Sequence, residues 1–237
     1  MFADADDMLM PRAVEVLFKG ITTAGYDILR SSFIRESGNS TNDIVLNAQS
    51  NVVTWFHGKI YRVSYLKRIN AHFLPDLRTD EDAYFNIIAW NCTENKGCID
   101  EITYIWRDNV NSVTRKGNKK DYFIRTHMNY ISGQVRALPR IYELNGSLNN
   151  IFVTNTLINI YYYYMQAKFY KCDVKEMDDC ISALSSEPWM VDWMLDVSVW
   201  NHIINTLKVG AAYDDNTIVF FQEDFFTWVT RLMKGEK

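Results

Sequence analysis

The hydrophobic pattern of the chain changes at about residue 121, and this change limits the folds that the chain can adopt. Before that point, short apolar runs alternate with helical patterns and polar loops, which is typical of a sheet with flanking helices. Beyond it, apolar residues recur at helical spacing in segments 121–137, 148–171, 188–207 and 221–232. We therefore predict an α/β region over residues 1–120 and a helical region over residues 121–237.

Individual elements of the α/β region can also be predicted. A helix is expected over residues 11–20, with Val14, Leu17 and Phe18 on its apolar face and Gly20 at its end. The other predicted elements are strands at 26–30 and 99–107, helices at 63–69 and from 79–82 onward, and polar loops at 36–43 and 109–120.

Composition excludes some classes of protein. The net charge of −4 disfavours a general polyanion binder but does not exclude a local basic patch. No uninterrupted apolar stretch is long enough to span a bilayer. The N-terminal residues are acidic and do not resemble a secretory signal, so we expect a cytoplasmic protein, either free or peripheral at the inner membrane surface.

Residues 2–9 read FADADDML and place three carboxylates within four positions, at Asp4, Asp6 and Asp7. In an extended segment, residues two apart point to the same side, so Asp4 and Asp6 would project together and Asp7 would turn away. Hard oxygen ligands of this kind suit Mg or Mn, and the bound ion would hold a diphosphate. An acidic surface turn or a helix N-cap is the alternative interpretation.

A second acidic pair, Glu81 and Asp82, stands at the predicted start of a helix. A carboxylate there, close to a metal site, would be able to take a proton from an attacking hydroxyl. The alternative is structural, because Thr79 or Asp80 would cap the helix and acidic residues are favoured in a first turn.

Several short segments together resemble the family 2 inverting glycosyltransferases of the GT-A fold. Residues 2–9 are similar to the family's F-x-D-x-D-D motif. Further segments follow in the family's order and spacing: 55–66 (K-L-Y-R-R-x-F-L), 70–73 (N-I-x-F), 79–85 (G-E-D-x-x-F), and 104–107 with 111–115 (Y-x-Y-R and N-S-I-T-R). The resemblance covers about half of the chain.

The resemblance implies the C-terminal part of a GT-A domain, with a mixed sheet and flanking helices, followed by a helical C-terminal segment. In the family, the strands that bind the nucleotide base precede the D-x-D motif. Here that motif begins at Asp4. We therefore expect residues 1–120 to be a partial GT-A catalytic domain from which the N-terminal nucleotide-binding strands are missing.

The resemblance also implies roles for the acidic residues. Asp6 and Asp7 would ligate Mn or Mg, and Asp4 would lie beside the ribose or the donor sugar. Asp82 would be the base that deprotonates the acceptor hydroxyl, with Glu81 beside it.

Six further residues acquire roles from the same resemblance. They are Arg107, Ser112 and Arg115 on the donor diphosphate, and Trp55, His57 and Lys59 on the acceptor side.

The predicted function is metal-assisted transfer of a sugar, with inversion, from a nucleotide-diphosphate sugar such as a UDP-linked one. The acceptor would be a carbohydrate, a lipid-linked sugar or another hydroxyl compound. The alternative is a non-catalytic structural or interaction protein derived from a truncated glycosyltransferase. The C-terminal helices, with aromatic residues along 189–204, would form a core or a contact with a second copy or a partner chain.

Overall fold

The computed structural model describes residues 1–37, 45–49, 52–107, 119–210 and 222–235. The chain divides into two compact units, Met1–Lys116 and Gly117–Lys237. The polar loops predicted at 36–43 and 109–120 fall largely outside the described residues.

The first unit is built on a mixed β-sheet. Its strands are β1 (Met8–Leu9), β2 (Ile28–Ser37), β3 (Val45–Gln49), β4 (Lys59–Tyr61) and β5 (Lys96–Trp106). Strand β2 pairs with β3 and β4 in antiparallel fashion and with β5 in parallel, and β5 carries β1 antiparallel on its other side. The register between β2 and β5 shifts on either side of Ser32.

Helices α1 (Ala13–Ala24), α2 (Val63–Arg68) and α3 (Glu81–Asn91) accompany this sheet. Helix α3 buries the predicted Phe85, Ile88 and Ala89, but every residue from Ala83 to Ala89 is buried, so burial extends beyond the predicted face. The fold is therefore α/β with a mixed sheet and flanking helices, and the predicted fold class is confirmed.

Helix α1 differs from its prediction in both its end and its buried face. Val14 and Phe18 are exposed, and the residues that α1 buries are Ala13, Leu17 and Ile21. These three are four residues apart and share one side of the helix, whereas the predicted face was rotated towards solvent. The prediction of the apolar face was therefore wrong for two of its three residues.

The helix also runs through Gly20 and ends at Gly25, which has a φ of 72°. A Cβ on Gly20 would lie 2.5 Å from Cδ2 of Leu29 on β2. Gly20 therefore allows the helix to approach the sheet closely, while Gly25 supplies the left-handed residue that commonly ends a helix.

The second unit is helical throughout the part that the structure describes. Its helices are α4 (Lys119–Asn145), α5 (Asn150–Phe169), α6 (Lys175–Ser182), α7 (Trp189–Leu195), α8 (Val197–Gly210) and α9 (Gln222–Met233). They share one apolar core that includes Leu157, Trp193, Ile203 and Phe225. The predicted helical C-terminal segment is confirmed.

The segment 188–207 is two helices rather than one. Asp196 has an extended backbone between α7 and α8, and its carboxylate accepts hydrogen bonds from the Ser198 backbone N–H and the Asn150 side chain. An Asp at this position competes with the helical backbone and favours a new helix start. Trp189 and Trp193 are buried in the core.

None of the helices in the described ranges is long and apolar enough to cross a membrane.

Candidate functional site

Phe2 joins three parts of the first unit, because its ring packs among aromatic rings from other segments. Its ring centroid lies 4.5 Å from that of Phe56, 5.6 Å from that of Phe85 on α3 and 5.7 Å from that of Phe73. Aromatic pairs at such separations are mutually stabilising. The acidic segment after Phe2 is thereby held near the loop before β4 and near α3, where Asp82 lies one turn before Phe85.

The acidic segment forms a turn and not an extended strand end. The Asp7 backbone N–H donates to the carbonyl oxygen of Asp4 at 3.2 Å. The Asp7 carboxylate accepts hydrogen bonds from the Tyr104 hydroxyl at 2.6 Å and from the Arg107 backbone N–H at 2.8 Å. The predicted extended geometry, with Asp4 and Asp6 aligned and Asp7 apart, is therefore wrong, because the turn carries Asp7 back towards Asp4.

Tyr104 orients this turn from strand β5. It is 1% exposed, and its hydroxyl oxygen also accepts a hydrogen bond from the Asp4 backbone N–H at 3.3 Å. Burial, followed by the hydrogen bond to Asp7, raises the pKa of Tyr104, so the hydroxyl keeps the proton that it donates. Tyr104 was not among the predicted site residues, although it stands in a predicted strand and in segment 104–107, which resembles the family's Y-x-Y-R motif.

A glycine positions the loop that enters β4. Gly58 has a φ of 65°, and its carbonyl oxygen accepts hydrogen bonds from the Ser31 backbone N–H at 2.8 Å and from the Ser31 hydroxyl at 3.0 Å. The Ser31 hydroxyl also lies 2.5 Å from that of Thr103. The loop is thus fixed to β2 and β5 where their register shifts, and both neighbours of Gly58, His57 and Lys59, are buried.

We expect Gly58→Ala to destabilise the first unit more than the same change at Gly25. Both glycines have positive φ, which costs a residue with a Cβ roughly 1–2 kcal/mol. At Gly58 the added Cβ would also lie 2.5 Å from the Ser31 hydroxyl oxygen, whereas at Gly25 it would meet nothing within 4 Å. Urea unfolding of the two variants measures the difference. If both variants lose the same free energy of unfolding, the contact with Ser31 does not constrain the loop.

Asp4, Asp7 and His57 bring three potential metal-ligating atoms within 4.8 Å of one another. His57 Nε2 lies 3.9 Å from Asp7 Oδ2, and the imidazole ring stacks on Tyr104 with centroids 4.9 Å apart. His57 was predicted to lie on the acceptor side, and its proximity to the carboxylates was not predicted.

The electrostatics of this cluster suit a bound cation. Burial first, and then the charge of Asp6, raise the pKa of Asp4. Burial is also the largest cause raising the pKa of Asp7, with smaller contributions from Asp4 and Asp6, while its hydrogen bonds to Tyr104 and Arg107 oppose the rise. Asp6 is exposed and belongs to the same acidic turn. A positive charge would favour the ionised forms of Asp4 and Asp7, which burial and the neighbouring carboxylates disfavour.

His57 is available as a neutral ligand. Burial, followed by the charge of Lys59, lowers its pKa to about 3. Its Nδ1 atom is buried and has no hydrogen-bond partner within the described ranges. Two carboxylates and an imidazole form a donor set that fits a divalent cation such as Mn.

The second acidic pair lies at the start of α3. Asp80 is the N-cap residue, with a φ of 59°, but its side chain makes no capping hydrogen bond. Asp82 is half-buried, and burial, followed by the charges of Glu81 and Asp80, raises its pKa to about 7. The side chain of Asp80 therefore does not cap the helix, and the pKa of Asp82 lies near neutral pH.

Lys59 is 2% exposed and points into the interior beside this pair. Its ammonium group donates a hydrogen bond to the carbonyl oxygen of Trp55. Burial lowers the pKa of Lys59 to about 7, although the charge of Asp82 opposes that shift. The interaction with Lys59 in turn favours the ionised form of Asp82.

The remaining predicted residues lie in different surroundings. The Arg107 guanidinium is half exposed and pairs with Glu36 at 3.3 Å. Trp55 is half-buried, with its ring 5.2 Å from that of Trp106 and 5.7 Å from that of His57. Ser112 and Arg115 lie outside the described residues.

Comparison with known proteins identifies one similar sequence and a related fold. The chain is 26% identical over 132 residues to EpsJ, an uncharacterised glycosyltransferase of Bacillus subtilis (strain 168). The match covers 48% of this chain and 38% of EpsJ. No family model matches the chain.

Among solved structures, the chain is similar in fold to residues 1–349 of S. aureus TarS. With the UDP-GlcNAc complex the TM-score is 0.58 at 14% identity, covering 100% of this chain and 68% of TarS 1–349. With the UDP complex it is 0.55 at 13% identity, covering 99% and 65%. The chain thus has a fold like that of a protein that binds UDP-GlcNAc and UDP, and part of its sequence is similar to a glycosyltransferase.

Proposed function

We propose that the chain belongs to a glycosyltransferase that moves a sugar, with inversion, from a nucleotide-diphosphate sugar to a hydroxyl acceptor. The observation that carries this proposal is the convergence of Asp4, Asp7 and His57 in the same unit as a half-buried Asp82, whose pKa is raised to about 7. The nucleotides seen with TarS support a UDP-linked donor.

In this proposal the acidic turn holds the donor side of the site. Asp7 and His57 would hold Mn or Mg together with Asp4, and Asp6 would complete the negative turn. A cation bound there would offset the charge that develops on the departing nucleoside diphosphate. Tyr104 keeps the Asp7 carboxylate oriented, because its hydroxyl donates to Oδ2. Ligands that are already held in position do not have to rearrange before they bind an ion.

Asp82 is the proposed base. Inversion requires a single displacement, in which the acceptor oxygen forms a bond to the anomeric carbon as the bond to the diphosphate breaks. The acceptor hydroxyl must lose its proton during that step, and the Asp82 carboxylate would accept it. A base with a pKa near 7 is about half ionised at neutral pH and still basic enough to assist.

The other predicted contacts are proposals of the same kind. Arg107 would approach the donor diphosphate from the end of β5, since its backbone N–H already fixes Asp7. Ser112 and Arg115 follow it in the chain and would contribute to the same side. The half-buried ring of Trp55 would face an acceptor, and Lys59, which donates to the Trp55 carbonyl oxygen, would support it. His57, predicted on the acceptor side, is proposed instead as a ligand of the cation. The negative charge of Glu81 would help to raise the pKa of Asp82.

Two wider parts of the prediction also remain proposals. We propose that the protein is cytoplasmic, either free or peripheral at the inner membrane surface. We also propose that the helical unit contacts a second copy or a partner chain, and the exposed apolar residues Val191, Leu195 and Val197 support this.

The direct test is calorimetric titration of the protein with UDP-GlcNAc and with UDP, in the presence of Mn and after its removal by EDTA. We expect binding that depends on the cation, because without it the diphosphate would face the negative charges of Asp4, Asp6 and Asp7. The same titration should be repeated on a chain that continues upstream of Met1 in the reading frame. If neither form binds nucleotide or Mn, the transferase proposal fails, and the alternative of a non-catalytic interaction protein takes its place.

A further inference from the structure

The helical unit contains a cavity that the proposed reaction does not use. Its volume is about 430 Å³, within the range of roughly 300–1,000 Å³ that is usual for small-molecule sites. Side chains from α5, α6 and α9 line it, and all of them belong to the second unit. We refer to it as the helical-unit cavity.

Aromatic rings form much of its wall. Tyr161 and Tyr164 are buried, and Trp228 is half-buried with its ring centroid 5.3 Å from that of Tyr161. Ile181 and Leu232, both buried, add apolar surface. A flat ring partly open to a cavity offers a surface on which the C–H face of a ligand can pack.

Trp228 differs from the other tryptophans of the second unit in the hydrogen bonding of its indole N–H group. Trp189, Trp193 and Trp200 donate their indole N–H groups to Glu187, Thr154 and the Met194 carbonyl oxygen, respectively. Within the described ranges, no acceptor is found for the Trp228 indole N–H. A ring that lines a cavity and has a donor to spare is suited to a ligand with its own hydroxyl acceptors.

Polar groups converge on the same space. The Tyr164 hydroxyl donates to Asp178 Oδ1 at 2.7 Å, which orients that carboxylate at the cavity wall. Asp224 lies close enough to Tyr161 that its charge, after burial, helps raise the pKa of that hydroxyl to about 12. The Asp178 carboxylate is therefore a positioned acceptor, the exposed Asp224 carboxylate lies close by, and the tyrosine hydroxyls stay protonated.

The charges around the cavity balance. Asp178 and Asp224 are matched by Lys168 and Arg231, and the Lys168 ammonium lies 5.2 Å from the centre of the Tyr164 ring. A site of this kind selects neither anions nor cations by net charge. It favours an uncharged ligand with many hydroxyls, which can donate to carboxylates and accept from the cationic groups.

We infer that the helical-unit cavity is a carbohydrate-binding site for an uncharged pyranose unit, whose apolar face packs on Trp228 and whose hydroxyls bond to Asp178 and Asp224. The combination of a ring surface and paired hydroxyl partners matches the two faces of a pyranose. The binding itself is independent of the transfer reaction. That the bound sugar forms part of the acceptor rests on the proposed function.

The test is saturation-transfer NMR and calorimetry with N-acetylglucosamine and its tetramer, in EDTA and without nucleotide. Under these conditions the donor site is not engaged, so failure here and failure of the transferase proposal are separate results. We expect both sugars to bind, and the tetramer to bind more tightly if the source is a polymer. Trp228→Leu should weaken binding roughly tenfold, since an aromatic anchor in a pocket typically carries much of the binding energy.

The matched control is Trp200→Leu, because Trp200 is half-buried in the same unit and lies outside the cavity lining. It should bind sugar as the unchanged protein does. If Trp228→Leu does not fold, Asp178→Asn provides the second variant, since an amide oxygen can still accept from Tyr164, and it should weaken binding several-fold. Absence of sugar binding, equal loss in the Trp200 control, or tighter binding of N-acetylglucosamine 6-phosphate would overturn the inference.

Discussion

Asp82→Asn should lower the rate of sugar transfer by a factor of roughly 100 to 10,000 while leaving donor affinity nearly unchanged, because it removes only the proposed proton acceptor. The folded protein should tolerate the change well. Burial already disfavours the ionised carboxylate, and an amide oxygen can still accept the hydrogen bond from the Ala83 backbone N–H. The measurement is release of UDP with a suitable acceptor, set beside calorimetric affinity for the UDP-sugar.

The pH dependence of the unchanged protein provides a second readout of the same group. Because Asp82 has a pKa raised to about 7 and acts in its ionised form, the rate should rise with pH up to about 7 and then level off. Glu81→Gln is the control, since it removes a neighbouring charge that raises this pKa and should shift the rise to lower pH without abolishing it. Turnover of Asp82→Asn at the unchanged rate would place the base on another residue.

Asp7→Asn should weaken Mn-dependent binding of UDP by roughly 100-fold. This is the upper end of the usual loss of metal affinity when residues around a metal ion are substituted. The substitution keeps the size of the side chain and removes its charge. Its amide oxygen can still accept from the Arg107 N–H, while its amide nitrogen can donate to the Tyr104 oxygen, so the turn retains partners. Calorimetry with Mn alone and with Mn and UDP measures the loss.

Tyr104→Phe is the matched control for that prediction. It leaves the Asp7 charge in place and removes the hydroxyl that donates to it and accepts from the Asp4 N–H. Loss of an orienting hydrogen bond typically costs 10- to 100-fold in metal affinity, so we expect a smaller effect, of about 10-fold. If Asp7→Asn keeps full cation affinity while Tyr104→Phe loses it, Asp7 serves the turn and not the ion.

Local patterns predicted where helices form more reliably than which residues those helices bury. Helix α3 buries the predicted Phe85, Ile88 and Ala89, but it buries every residue from Ala83 to Ala89, so the three- and four-residue spacing does not by itself define the buried side. Helix α1 shows the limit. Val14 and Phe18 also share a side, yet the helix buries Ala13, Leu17 and Ile21. Leu17 and Ile21 pack with Leu29 of β2, which also lies close to Gly20, and the sequence pattern does not show that contact.

For the candidate site, the sequence by itself determined which residue types are present: three carboxylates within four positions and a carboxylate pair at a helix start. Short-range order encodes those features directly. Only the tertiary structure decided which of them meet. His57 joins Asp4 and Asp7 because Gly58 fixes its loop to β2 and β5, and Tyr104 reaches Asp7 from a strand about a hundred residues away in the chain. Contacts between distant segments depend on how helices and strands pack, and local spacing carries no information about that packing.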